Sequence, residues 1–122
     1  MTRTFFFLGA LFGGLGVALG AFAAHALKER LPPEMLAVFE TGVRYQLFHA
    51  FALLAAASAW AQWGNPAAKA AGWCFAGGIV LFSGSLYVLA LSGVRWIGAI
   101  TPVGGVAFLA GWALLAWAAL RS

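Results

Sequence analysis

Four long apolar runs separated by short polar breaks make up nearly the whole chain. From Thr4 to Leu27 no charged residue occurs, with Arg3 before the run and Lys28, Glu29 and Arg30 closing it. A second run, about 43–63, begins with Arg44, Tyr45 and Gln46 and ends at Gly64, Asn65 and Pro66, a strong turn signal. A third covers about 67–91, and Ser92 to Arg95 links it tightly to a fourth at about 96–120. A hydrocarbon core of about 30 Å takes about 20 helical residues to cross, and helix satisfies every backbone N–H and C=O without water. Each run therefore reads as one crossing of about 4–27, 43–63, 67–91 and 96–120.

Between the first two runs Pro32 and Pro33 interrupt the chain. Met35, Leu36, Phe39 and Val43 then recur at helical spacing opposite Glu34 and Glu40, which predicts a short amphipathic helix at the interface over 33–41. Gly42 would supply the bend into the second span. The expected fold is all-α: one integral membrane four-helix bundle over 1–122, with that short interfacial helix between its first and second spans. Arg3 and Ala21-Phe22-Ala23 give the first run some signal-peptide character, but its apolar stretch exceeds the roughly 7–15 residues of such a core, so it is read as uncleaved.

Composition agrees with lipid as the solvent. Of 122 residues 64% are hydrophobic and 8% charged, where soluble domains average about 25% charged. The net charge of +4 is scattered rather than gathered on a water-facing surface, which excludes nucleic acid as a partner. Cys74 is the sole cysteine, so no internal disulfide or metal-ligand spacing arises. The tryptophans, among them Trp96, Trp112 and Trp117, fall mostly toward span ends, as interfacial aromatics do. With both termini on one side, Arg3, Lys69 and Arg121 balance Lys28, Arg30 and Arg95, and orientation is not set.

Small and polar residues inside the runs mark what the helices do to one another. Gly9, Gly13, Gly16 and Gly20 lay a thin strip along the first span, and Gly77, Gly78, Gly84, Gly104, Gly105 and Gly111 thin the third and fourth. Close helix packing is the expected use, with a homo-oligomer seam as the alternative. Arg44 stands four residues after Glu40, the favourable order for an ion pair, and snorkelling would hold it at the boundary. There it serves as a structural anchor or contacts an anion or headgroup.

Tyr45, Gln46 and His49 share a helical face, and His25 ends the span that precedes them, so both histidines are expected near one surface and within reach of each other. An interhelical hydrogen bond is the expected use of such a pair, ahead of a proton path or a haem or metal site. Ser83, Ser85 and Tyr87 place hydroxyls within two turns of the third span. Serine in lipid usually bonds its own helix or glues a neighbour, and no embedded acid completes a nucleophile, base and orienter. Thr101, Pro102 and the following glycines could open the fourth helix locally, or equally mark a plain helix start. All three acids, Glu29, Glu34 and Glu40, lie between the first two spans, so cation-coupled antiport through an embedded carboxylate is excluded.

Four segments carry a resemblance: Gly20-Ala21-Phe22-Ala23-Ala24-His25-Ala26-Leu27, Thr41-Gly42-Val43-Arg44-Tyr45-Gln46-Leu47-Phe48-His49-Ala50, Phe82-Ser83-Gly84-Ser85-Leu86-Tyr87 and Ile100-Thr101-Pro102-Val103-Gly104-Gly105. In this order they resemble the DUF423 family of small membrane proteins, typified by the bacterial YgdD and YwdK proteins, across essentially the whole chain. The resemblance implies a four-span protein of the bacterial plasma membrane, with relatives in eukaryotes and no established activity. It also implies a distinctive polar set of His25, Arg44, Tyr45, Gln46, His49, Ser83, Ser85, Tyr87, Thr101 and Pro102. Ala23 departs from the glycine the family often has there, and alanine still permits close packing. The chain is thus expected to be non-enzymatic, without metal or cofactor, its polar cluster near one surface binding a lipid headgroup or small polar ligand or docking a membrane partner. A small-solute or proton transporter is the alternative.

Overall fold

The computed structural model describes residues 1–122, which form helices and short turns with no strand. Helix α1 spans Thr2–His25, α2 Pro33–Trp63, α3 Pro66–Gly78, α4 Gly84–Ser92 and α5 Thr101–Arg121. A π-helical turn, Ile79–Ser83, joins α3 to α4, so the third run forms one continuous rod. Short 3₁₀ turns at Leu27–Glu29 and Arg95–Ala99 lead into α2 and α5. Thr2–His25, Pro66–Ser92 and Arg95–Arg121 are long and apolar enough to cross a membrane.

The helix ends follow from local chemistry. Pro33 opens α2 at a position whose N–H would have no partner anyway. Gly64 ends α2 in the left-handed region at φ 60°, and Asn65 caps α3 by accepting from the Ala67 N–H at 2.9 Å. Gly93, at φ 73°, ends α4 with its N–H on the Leu89 carbonyl.

The separate interfacial helix expected over 33–41 does not exist. Those residues are the first turns of the 31-residue α2, and Gly42 is helical rather than a bend. Glycine is needed there for a different reason: a Cβ at Gly42 would stand 2.8 Å from Cε1 of Tyr87. Amphipathic spacing describes both an interfacial segment and the start of a longer helix that packs on its neighbours, and only the tertiary contact distinguishes them.

Helix α2 is the central staff. It touches α1, α3, α4 and α5, and supplies 11 of the 31 buried residues, as many as the whole third rod. Helix α1 lies antiparallel on it, with Gly9 against Leu54 and the Ala50 carbonyl, Gly16 against Leu47 and Gly20 against Val43. Glycines also let the third rod and α5 meet at backbone distance: a Cβ at Gly104 would lie 2.8 Å from the Phe82 Cα, and Gly111 receives the Phe75 ring at 2.6 Å. Gly77 and Gly84, expected to serve packing, have nothing within 4 Å of a Cβ position, and Gly13 and Gly105 have contacts only at 3.9 Å. Gly78, under the Phe108 ring, packs as expected, and Gly72, under the Phe5 ring, is a packing glycine the sequence did not single out.

Phe5, Leu53, Ala56, Ala57, Phe75 and Phe108 form the main core, and Ala23, Leu27, Phe39, Val43 and Ala90 a second. Phe5 meets Trp73 edge-on at 5.3 Å, and Asn65 Nδ2 donates to Ser122 Oγ at 3.2 Å. The two termini and the turn at 64–65 therefore share one end of the bundle.

Candidate functional site

The polar residues of the spans meet along α2 in a set of hydrogen bonds that ties the rods together. Gln46 Nε2 donates to the Phe12 carbonyl of α1 at 2.9 Å, and Tyr87 Oη of α4 donates to Gln46 Oε1 at 2.6 Å. Ser83 Oγ donates to the Gly42 carbonyl at 2.6 Å. Ser85 and Thr101 share a 2.6 Å hydroxyl contact that joins α4 to α5. The π turn carries Ser83 and lies between the segments these bonds connect, and such turns often occur where a helix must re-aim its side chains. Every buried side-chain nitrogen and oxygen has a partner.

His49 completes the set. Its Nδ1 lies 2.8 Å from the Tyr45 carbonyl, which only accepts, and its Nε2 lies 3.0 Å from the indole N–H of Trp112, which only donates. The proton therefore sits on Nδ1 of a neutral imidazole, and a second proton on Nε2 would face the indole N–H. The ring also stacks on Phe108, with centroids 3.6 Å apart and planes 8° from parallel. Trp112, expected at a membrane interface, is instead a partner of His49. Its recurrence four residues after Phe108, with Gly111 between, was the available signal.

The cluster lies deeper than expected. Gln46 reaches Phe12, halfway along α1, rather than one membrane surface. His25 is exposed at the end of α1 and does not meet His49. His49 lies level with Gly13, whose nearest neighbour is Ala50, and 12 helical residues separate Gly13 from His25, about 18 Å. The adjacency of the two segments in sequence placed both histidines at one end, but His49 lies about four and a half turns into α2.

Neither histidine reaches a serine, since Ser83 bonds Gly42 and Ser85 bonds Phe82 and Thr101. Pro102 sits in the first turn of an unbroken α5, so of the two readings of Thr101–Gly105 the plain helix start is the one formed. Tyr45 is partly exposed, its ring against Phe82 and Phe108. Arg44 is exposed, and the Glu40 ion pair expected for it is replaced by one hydrogen bond to Thr41 Oγ1 at 3.2 Å. Thr41 in turn donates to the Ala37 carbonyl.

A family model described as "Protein of unknown function (DUF423)" matches residues 19–105. The chain is 44% identical over 120 residues to the UPF0382 membrane protein YwdK of Bacillus subtilis (strain 168), covering 98% of each chain. It is 43% identical over 129 residues to the UPF0382 inner membrane protein YgdD of Escherichia coli (strain K12), covering 99% of this chain and 93% of that one. A UPF0382 membrane protein of Staphylococcus saprophyticus is 44% identical over 119 residues, 93% of each chain. No solved structure matches.

Proposed function

Because the chain belongs to the DUF423 family of membrane proteins of unknown function, we propose a role for it from its own residues: a small non-enzymatic protein of the plasma membrane that holds an anionic lipid headgroup at Arg44. The name of the Escherichia coli relative, an inner membrane protein, supports the location. The observation that carries the reading is the contrast between Arg44 and the polar set behind it. The buried groups are hydrogen-bonded among themselves, while the exposed guanidinium spends one of its five N–H groups on Thr41 and has no carboxylate partner.

Depth favours a phosphate. Val43 packs on Gly20, five residues from the C-terminal end of α1, about 8 Å along the axis. Helical side chains lean toward the helix N-terminus, so Arg44 leans toward that same membrane boundary, where an extended arginine reaches the headgroup layer. Planar, bidentate recognition of a phosphate suits the remaining donors.

Native mass spectrometry of protein extracted from membranes containing phosphatidylglycerol and phosphatidylethanolamine tests this. A basic residue near an anionic surface contributes about 1 kcal/mol, so Arg44→Ala should retain roughly fivefold less phosphatidylglycerol, with Arg44→Lys in between. An unchanged lipid profile in Arg44→Ala overturns the reading.

A further inference from the structure

Between α1 and the third rod lies a crevice of about 230 Å³, walled by Leu15, Leu19, Ile79 and Val80, with Gln46 and Tyr87 also lining it. Leu15 and Val80 are well exposed, at 47% and 60%, so the crevice opens on the outer, lipid-facing side of the bundle. Its polar lining is unusual for such depth. Gln46 is 3% exposed, and its Nε2 makes one hydrogen bond, to the Phe12 carbonyl, although an amide nitrogen carries two hydrogens. The Tyr87 hydroxyl gives its only hydrogen to Gln46, and Ser83, whose hydroxyl lies beside it, gives its own to the Gly42 carbonyl, so the phenolic oxygen keeps lone-pair capacity. Side by side, then, stand an unspent N–H and an oxygen able to accept, where lipid offers no water to satisfy either.

We propose that this crevice is a binding site for a lipophile that carries one hydroxyl group on an apolar chain. The hydroxyl oxygen accepts from Gln46 Nε2 while its hydrogen is donated to Tyr87 Oη, so a single O–H satisfies both. The chain lies between the leucines of α1 and the apolar flank of the π turn. A long-chain alcohol and an undissociated fatty acid share this chemistry, whereas a quinone, which only accepts, meets half of it. Gly84 lines this crevice and the neighbouring one beside Val88 and Trp96, and nothing lies within 4 Å of its Cβ position, so a larger side chain there has room to enter the site. The site is separate from Arg44 and stands or falls independently of it.

The test adds geranylgeraniol, palmitic acid or decylubiquinone to the full chain in detergent and reads bound ligand by native mass spectrometry, with a diazirine-bearing long-chain alcohol for mapping. Geranylgeraniol or palmitic acid, or both, should be retained at least tenfold better than the quinone, with cross-links on α1 and residues 79–87. Gly84→Leu fills the crevice without touching the hydrogen-bonded set, so it should lower retention at least tenfold while thermal stability holds. Tyr87→Phe, which keeps the ring, should lower hydroxyl retention and leave the quinone unaffected; Arg44→Ala should change neither. Retention of neither hydroxyl probe by the wild type, equal retention of the quinone, cross-links elsewhere, or undiminished retention by a folded Gly84→Leu overturns the proposal.

Discussion

At the scale of single residues, His49 shows how a titratable group is held in one orientation inside a membrane protein. One ring nitrogen gives to a carbonyl and the other receives from an indole, and stacking on Phe108 fixes the plane. Trp112→Phe leaves Nε2 without a donor. Interhelical hydrogen bonds in membranes average about 0.6 kcal/mol and reach about 1.7, and the Trp112→Phe loss should fall in that range. Replacing both partners, as His49→Phe with Trp112→Phe, should recover part of the loss, because a pair removed together leaves no orphaned group. Denaturant titration of the four members of this cycle in mild detergent measures the coupling, and strict additivity would show that the bond contributes nothing.

Among the helices, glycine separates positions that look alike in sequence. Gly104 meets the Phe82 backbone, which has no freedom to move aside, so Gly104→Ala should destabilise by about 1–3 kcal/mol or prevent folding. Gly77 meets nothing, and Gly77→Ala should stabilise by about 0.5–1 kcal/mol through helix propensity alone. Thermal denaturation of the two variants reads the contrast, and similar shifts would refute the assigned contacts. The helical character of the runs, the turn at Asn65-Pro66 and the importance of Gln46, His49, Ser83 and Tyr87 were legible because length, turn chemistry and the cost of polarity in lipid are local properties. Which glycines pack was not, since Gly77 and Gly78 differ only in the helix face that meets α5. Nor was the reason for a glycine at position 42 within α2, which is the ring of Tyr87, 45 positions further along the chain.

For the molecule as a whole, the most polar helix is the one that every other helix packs against. Glu34, Glu40, Arg44, Gln46, His49 and Gln62 all belong to α2, and the other helices that surround it take up the polar groups of its inner face. Polar residues in membrane segments are tolerated where they face the bundle interior. Because the two termini and the 64–65 turn share one end, cysteines introduced as Thr2→Cys and Ser122→Cys in a Cys74→Ala background should label from the same side of the membrane. One introduced as Ser92→Cys should label from the other. Membrane-impermeant maleimide on intact cells and inverted vesicles decides it, and opposite labelling of the two termini would rule out this arrangement.

The π turn at Ile79–Ser83 acts as a phase setting for the rod that contains it. It accommodates one residue more than an α-helical turn, and each residue in an α-helix advances the side-chain direction by about 100°. Ser85 and Tyr87, two residues and so about 200° apart on α4, address different neighbours, α5 and α2, from the phase that turn hands on. Deleting Leu81 would let Ile79–Ser83 close as an ordinary α-helical turn and leave the side chains beyond it near their present directions. An alanine added beyond the turn, between Gly84 and Ser85, has no such slack: the span could still enter lipid, but every side chain from Ser85 onward would rotate by about 100° from its partner, giving a protein that inserts yet cannot lock.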